Sequence, residues 1–79
     1  MAILNFDRKD FDKYVVEDKG LVLVDFWAPW CSYCRRIAPA YDKVAQQYAE
    51  KLIFAKVDID QVPGIAEDWE IEVIPTFVL

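Results

Sequence analysis

Leu21-Val22-Leu23-Val24-Asp25-Phe26-Trp27-Ala28-Pro29-Trp30-Cys31-Ser32-Tyr33-Cys34 is the stretch on which the fold turns. Its first seven residues are β-branched, aliphatic or aromatic apart from one acid, Asp25. That is too apolar for a strand wetted on one face, and it predicts a central strand covered on both. Trp30 to Cys34 falls where this strand ends and a helix begins, which puts Cys31 at a helix N-terminus. Unpaired backbone N–H groups and the positive end of the helix dipole favour an anion there, so the thiolate is stabilised. A two-residue spacer wound into one helical turn brings the second sulfur within disulfide reach, so Cys34 can attack a mixed disulfide formed at Cys31. A CxxC pair can also be half of a zinc site, or two ordinary core thiols. Zinc needs two more soft ligands, and the chain has no third Cys and no His, which leaves only an intermolecular site. The lack of His also removes Cys–His nucleophilic chemistry.

On either side of this stretch, short apolar runs alternate with amphipathic ones. Ala2 to Phe6 predicts a first strand. Asp7 is placed to cap a helix whose Phe11 and Val15 lie one turn apart, with Gly20 ending it. From Cys34 to Glu50, Ile37, Tyr41, Val44, Ala45 and Tyr48 recur at three- and four-residue steps, a helix that Pro39 should interrupt and kink. Leu52 to Asp58 reads as a second buried strand and Pro63 to Trp69 as a short helix. Ile74 to Leu79 forms a last strand with apolar residues on both faces. This βαβαβαβ order predicts an α/β fold in a single domain, residues 1–79, with a largely parallel sheet flanked by helices.

The 79 residues are 56% hydrophobic and 15% aromatic, which calls for a packed interior rather than a disordered chain. A formal charge of −5 excludes polyanion binding as the function, because phosphate contacts need clustered Lys and Arg. No nucleic-acid partner is expected. After Lys56 there is no basic residue, whereas Asp58, Asp60, Glu67, Asp68, Glu70 and Glu72 follow, read as a solvated face. The first ten residues lack a signal-peptide pattern, and no apolar run approaches the ~20 residues of a membrane span. Two cysteines three apart do not make a stapled secreted scaffold. The expected setting is a reducing cytoplasm, with no membrane partner.

The chain resembles the thioredoxin family in four motifs, in order: Val24 to Cys34, Pro39, Lys56-Val57-Asp58, and Ile74-Pro75-Thr76. The resemblance implies a thioredoxin-like fold with a central mixed sheet, Cys31 as nucleophile and Cys34 as resolving thiol. It implies that Asp25 is a buried proton acceptor for Cys34, its charged form disfavoured by burial, with Lys56 as the partner of Asp25. Pro75 corresponds to the family's cis-proline. Trp30, Ser32, Tyr33, Ile74 and Pro75 would border a bound peptide, with Trp27 beneath them, while Phe26, Trp69 and the long helix's tyrosines belong to the core. No cofactor and no metal are implied. The implied partners are protein disulfides and an electron donor such as a thioredoxin reductase.

Two departures from the family pattern carry expectations of their own. Ser32-Tyr33 stands where Gly-Pro is usual, which loosens the helix start, and Arg35 and Arg36 add positive charge near the sulfurs. The redox potential is expected between about −270 and about −200 mV. The family's following antiparallel strand and last helix have no counterpart here, so the last strand is expected to be an uncovered edge open to self-association. The leading expectation is a protein dithiol–disulfide oxidoreductase. The alternative is a folding or interaction module that binds itself or a complementary fragment with little activity.

Overall fold

A computed structural model describes residues 3–17 and 21–78. The predicted central strand is β2, Val22–Trp27, and its neighbour β3 is Ile53–Asp58. Both are rich in β-branched and aromatic residues, and they pair in parallel from Val22 opposite Ile53 to Trp27 opposite Asp58. The first strand, β1 (Ile3–Asn5), adds to the outer side of β3 in parallel, and the last, β4 (Thr76–Val78), lies antiparallel to β2. The order β1-β3-β2-β4 places β2 inside a mixed sheet, as its composition requires.

Three helices connect the strands: α1 (Arg8–Phe11), α2 (Ser32–Gln47) and α3 (Ile65–Asp68). Val22, Val24 and Phe26 pack with Ala55, Val57, Phe6, Phe11, Val62 and Ile65, so α1 and α3 cover one face of the sheet. On the other face Ile3 and Phe54 pack with Tyr41 and Ala45 of α2, joined by Leu23 and Leu52. The alternation of β2 thus sends Val22, Val24 and Phe26 to one layer and Leu23, Asp25 and Trp27 to the other.

The element boundaries correct several expectations. Asp7 caps α1 as expected, accepting from the Asp10 N–H at 2.8 Å while Asp10 accepts from the Asp7 N–H at 3.2 Å. After one turn, however, the helix widens into a π-helical segment, Asp12–Glu17, in which Tyr14 stacks on Phe6 with ring centroids 5.1 Å apart. α2 begins at Ser32, earlier than expected, and runs through Pro39 without a break. One missing N–H bond on an exposed face is outweighed by burial of Cys34, Tyr41 and Ala45 along 16 residues. α2 ends before Tyr48, whose N–H closes on the Val44 carbonyl, and not at Glu50. α3 is only four residues long because Gly64, at φ 83°, turns the chain just before it. β4 starts at Thr76, since Pro75 has no N–H to give the ladder. Ala2, Gly20 and Leu79 lie outside the described residues.

Candidate active site

Parallel β2 and β3 end at the same edge of the sheet, and antiparallel β4 begins there, opposite Phe26. Three loops therefore meet: Ala28 to Cys31 after β2, Ile59 to Gly64 after β3, and Val73 to Pro75 before β4. Cys31 and Cys34 are joined as a disulfide, with Cα atoms 5.3 Å apart. Cys31 is the N-cap of α2 and its Sγ accepts from the Cys34 N–H at 3.1 Å. The same backbone donor is positioned to stabilise a thiolate once the bond is reduced. A one-turn spacing thus gives Cys31 two relationships with Cys34, a covalent bond and a backbone hydrogen bond. Both cysteines are buried, Cys31 at 8% and Cys34 at 5% exposure, so the expected contrast in solvent access is slight.

The Cys31 Sγ lies 3.9 Å from the carbonyl oxygen of Ile74, and the Ile74–Pro75 bond is cis. The Thr76 hydroxyl donates to the Val73 carbonyl, fixing this loop from β4. Trp30 is 65% exposed, Ser32, Tyr33 and Val73 are also exposed, and Ile74 and Pro75 are half-buried. The disulfide is thus sunk within a rim of apolar surface. Such a rim suits an extended chain whose own sulfur must approach one buried atom.

Asp25 is 3% exposed, and its Oδ1 has no hydrogen-bond partner. Burial pushes its carboxyl up to about 6, against a smaller lowering by the charge of Lys56. The expected pairing with Lys56 takes a looser form. Lys56 is opposite Asp25 in the β2–β3 register, but its ammonium sits 4.4 Å from the Trp27 ring centroid, and no ion pair joins it to Asp25. The indole face outcompetes the carboxylate, leaving Asp25 influenced by Lys56 only through space. Trp27 Nε1 is likewise buried and unpartnered.

A family model described as Thioredoxin matches residues 2–79. This chain belongs to the thioredoxin family. It is 45% identical over 69 residues to thioredoxin 1 of Synechococcus elongatus, covering 87% of this chain and 64% of that protein. Over 69 residues it is 44% identical to the thioredoxin of Buchnera aphidicola, covering 87% and 63%. Over 73 residues it is 44% identical to the chloroplastic thioredoxin M5 of Oryza sativa, covering 92% and 42%. It therefore spans less than two thirds of the length of each of these relatives.

Within this thioredoxin-family chain the structure brings Cys31, Cys34 and Ile74 into contact, and places Asp25 and Lys56 side by side on adjacent strands. The contacts of three further residues escaped the sequence reading, in which Arg35 is only positive charge near the sulfurs. Arg35 donates to the Pro29 carbonyl, which holds the turn between β2 and α2 and turns that guanidinium toward the backbone. The Tyr41 hydroxyl reaches the carbonyls of Leu23 at 3.0 Å and Ala55 at 2.9 Å, joining α2 to both central strands. Burial, then the charge of Asp25, raise the Tyr41 phenol well above its ordinary value. Phe77 is the register partner of Asp25 on β4. Helical spacing marked Tyr41 as apolar core, but nothing in it signalled the two carbonyls. Trp69 and Tyr48, expected in the core, are exposed, although Trp69 still meets Phe11 edge-on at 5.2 Å.

Proposed function

We propose that this single domain, residues 1–79, is a protein dithiol–disulfide oxidoreductase working through Cys31 and Cys34. The observation that carries the reading is the capped disulfide, in which Cys31 heads α2 and receives the Cys34 N–H. In the reduced form the Cys31 thiolate attacks one sulfur of a protein disulfide. A mixed disulfide forms and the other substrate sulfur leaves as a thiolate that takes up a proton. Asp25 receives the proton of Cys34, whose sulfur then attacks Cys31, and the second substrate sulfur leaves as a thiolate that takes up a proton from Asp25 or water. Two electrons and two protons have passed to the substrate, and the 31–34 disulfide remains. An external dithiol donor, a thioredoxin reductase in the leading reading, restores the pair.

Trp30, Ser32, Tyr33, Ile74 and Pro75 form the binding rim in this scheme, with the Ile74 carbonyl beside the attacking sulfur. Lys56 tunes Asp25 through space. A reducing cytoplasm suits such a cycle, and no helix among the described residues is long and apolar enough to cross a membrane. Reduction of insulin disulfides, followed by turbidity with dithiothreitol as terminal reductant, tests the proposal. Turnover that is lost in Cys31→Ser supports it, and a wild-type chain no faster than dithiothreitol alone refutes it.

A second reading rests on β4, which has no strand on its outer side among the described residues. Apolar grooves flank it on both faces, one lined by Phe11, Val24, Trp69 and Val78, the other by Leu23, Tyr41, Val44 and Phe77. An edge of this kind favours pairing with a second copy. Mass in solution measured beside insulin reduction separates an active monomer from an inactive oligomer.

A further inference from the structure

We infer that Phe77 is a positioning residue for Asp25: its ring keeps water from the carboxyl and thereby sets the pH at which that group exchanges its proton. The inference rests on the role proposed above for Asp25. Asp25 and Phe77 are directly opposed in the antiparallel β2–β4 register. Directly opposed residues put their Cβ atoms about 4.5–5.5 Å apart on one face of the sheet, so the ring and the carboxyl are neighbours. The Phe77 ring also lies 5.5 Å, centroid to centroid, from that of Tyr41 on α2. Strand and helix thus bring two aromatic rings to the sheet face that carries Asp25. Phe77 itself is 43% exposed, whereas Asp25 is 3% exposed, so the ring stands at the boundary between the carboxyl and bulk water.

The ionisable groups on the neighbouring elements are otherwise engaged. From β3 the facing charge is Lys56, whose ammonium is engaged by Trp27. From α2 the facing ionisable groups are Tyr41, whose hydroxyl is committed to the Leu23 and Ala55 carbonyls, and the first-turn Cys34, held in the disulfide. Thr76, Phe77 and Val78 of β4 bring no charge. With no hydrogen-bond partner at Oδ1, burial is the larger influence on the proton affinity of Asp25, and Phe77 is its register partner on the exposed side of the sheet edge.

The test is a carbon-13 NMR titration of the Asp25 carboxyl in the oxidised full chain, for wild type, Phe77→Leu, Phe77→Ala and Phe77→Thr. Phe77→Leu should keep the wild-type midpoint. Phe77→Ala should lower it by on the order of one pH unit as water reaches the group. Phe77→Thr, which retains a strand-forming side chain, should do the same if the alanine variant does not fold. A folded Phe77→Ala or Phe77→Thr protein, judged by circular dichroism, with an unmoved midpoint overturns the inference. Insulin reduction across pH is measured in parallel, and its acid limb should move down with the carboxyl. If the carboxyl moves and the acid limb stays, the shielding by Phe77 is upheld and the proton-acceptor role of Asp25 is rejected.

Discussion

Cys31 and Cys34 are nearly equally buried, so exposure does not distinguish them. The roles proposed for them rest on their places at the start of α2. Cys31 caps the helix, where a negative sulfur meets the Cys34 N–H and the dipole, while Cys34 lies inside the first turn. In the reduced protein iodoacetamide should therefore label Cys31 on the order of tenfold faster than Cys34. Mass spectrometry of tryptic peptides reads the ratio, and the reverse order would exchange the two roles. Cys34→Ser should trap substrate as a mixed disulfide on Cys31, seen as a covalent adduct that dithiothreitol releases. Asp25 makes a separate prediction about stability. Its folded-state value, about 6, lies above the ordinary carboxyl value of 3.8, so the native state holds the proton more tightly than the unfolded chain does. Stability linked to this group is therefore full below about pH 4 and is lost as pH rises through about 6, by on the order of 2–3 kcal/mol. The advantage of Asp25→Asn over wild type in urea denaturation should widen by that amount between pH 4 and pH 7. A gap constant with pH would mean that the carboxyl is not held neutral by the fold. The places of the two cysteines and Asp25 were legible in a CxxC that follows an apolar strand carrying a single acid, whereas the role proposed for Asp25 came from the family resemblance. Where Lys56 puts its charge was not, since carboxylate and indole compete for it only after β2 and β3 have paired.

At the scale of elements, α2 is held to the sheet by more than apolar contact. Tyr41 offers one proton to two strand carbonyls, from Leu23 and Ala55, while its ring meets Phe54 at 5.8 Å. Tyr41→Phe keeps the ring and removes the hydroxyl, leaving buried carbonyl capacity unmet. It should cost about 1–2 kcal/mol in urea denaturation without altering the helix content seen by circular dichroism. An unchanged midpoint would show that these carbonyls are fully satisfied by the β ladder. The order and types of the elements were legible in advance, because strands here are continuous apolar runs and α2 carries a clear three- and four-residue repeat. Their ends were less so. The continuation of α2 through Pro39 depends on how firmly Cys34, Tyr41 and Ala45 are packed, and the widening at Asp12 leaves no mark in the Phe11–Val15 spacing.

At the scale of the whole molecule, the second reading rests on β4, which among the described residues has no strand on its outer side and is flanked by two apolar grooves. Net charge of −5 opposes contact between copies, and apolar surface around Val78 and Trp69 favours it. Association should therefore strengthen with added salt, as screening removes the repulsion. Val78→Glu should weaken it at every ionic strength. Sedimentation velocity across a concentration series checks both, and a monomer indifferent to salt and protein concentration would set the second reading aside. The layout of the sheet has a temporal side as well. β1 has one neighbour, β3, and Ile3 pairs with Phe54, fifty-one residues further along. At synthesis rates of roughly 5–20 residues per second, the first strand waits roughly 3–10 s for its partner to be made. Until β3 is made Ile3 has no Phe54 to pack against, so this strand cannot find its place before residue 54 has been synthesised. A nascent chain stalled before β3 would leave Ile3 and Phe6 open to a chaperone that a finished chain would not engage.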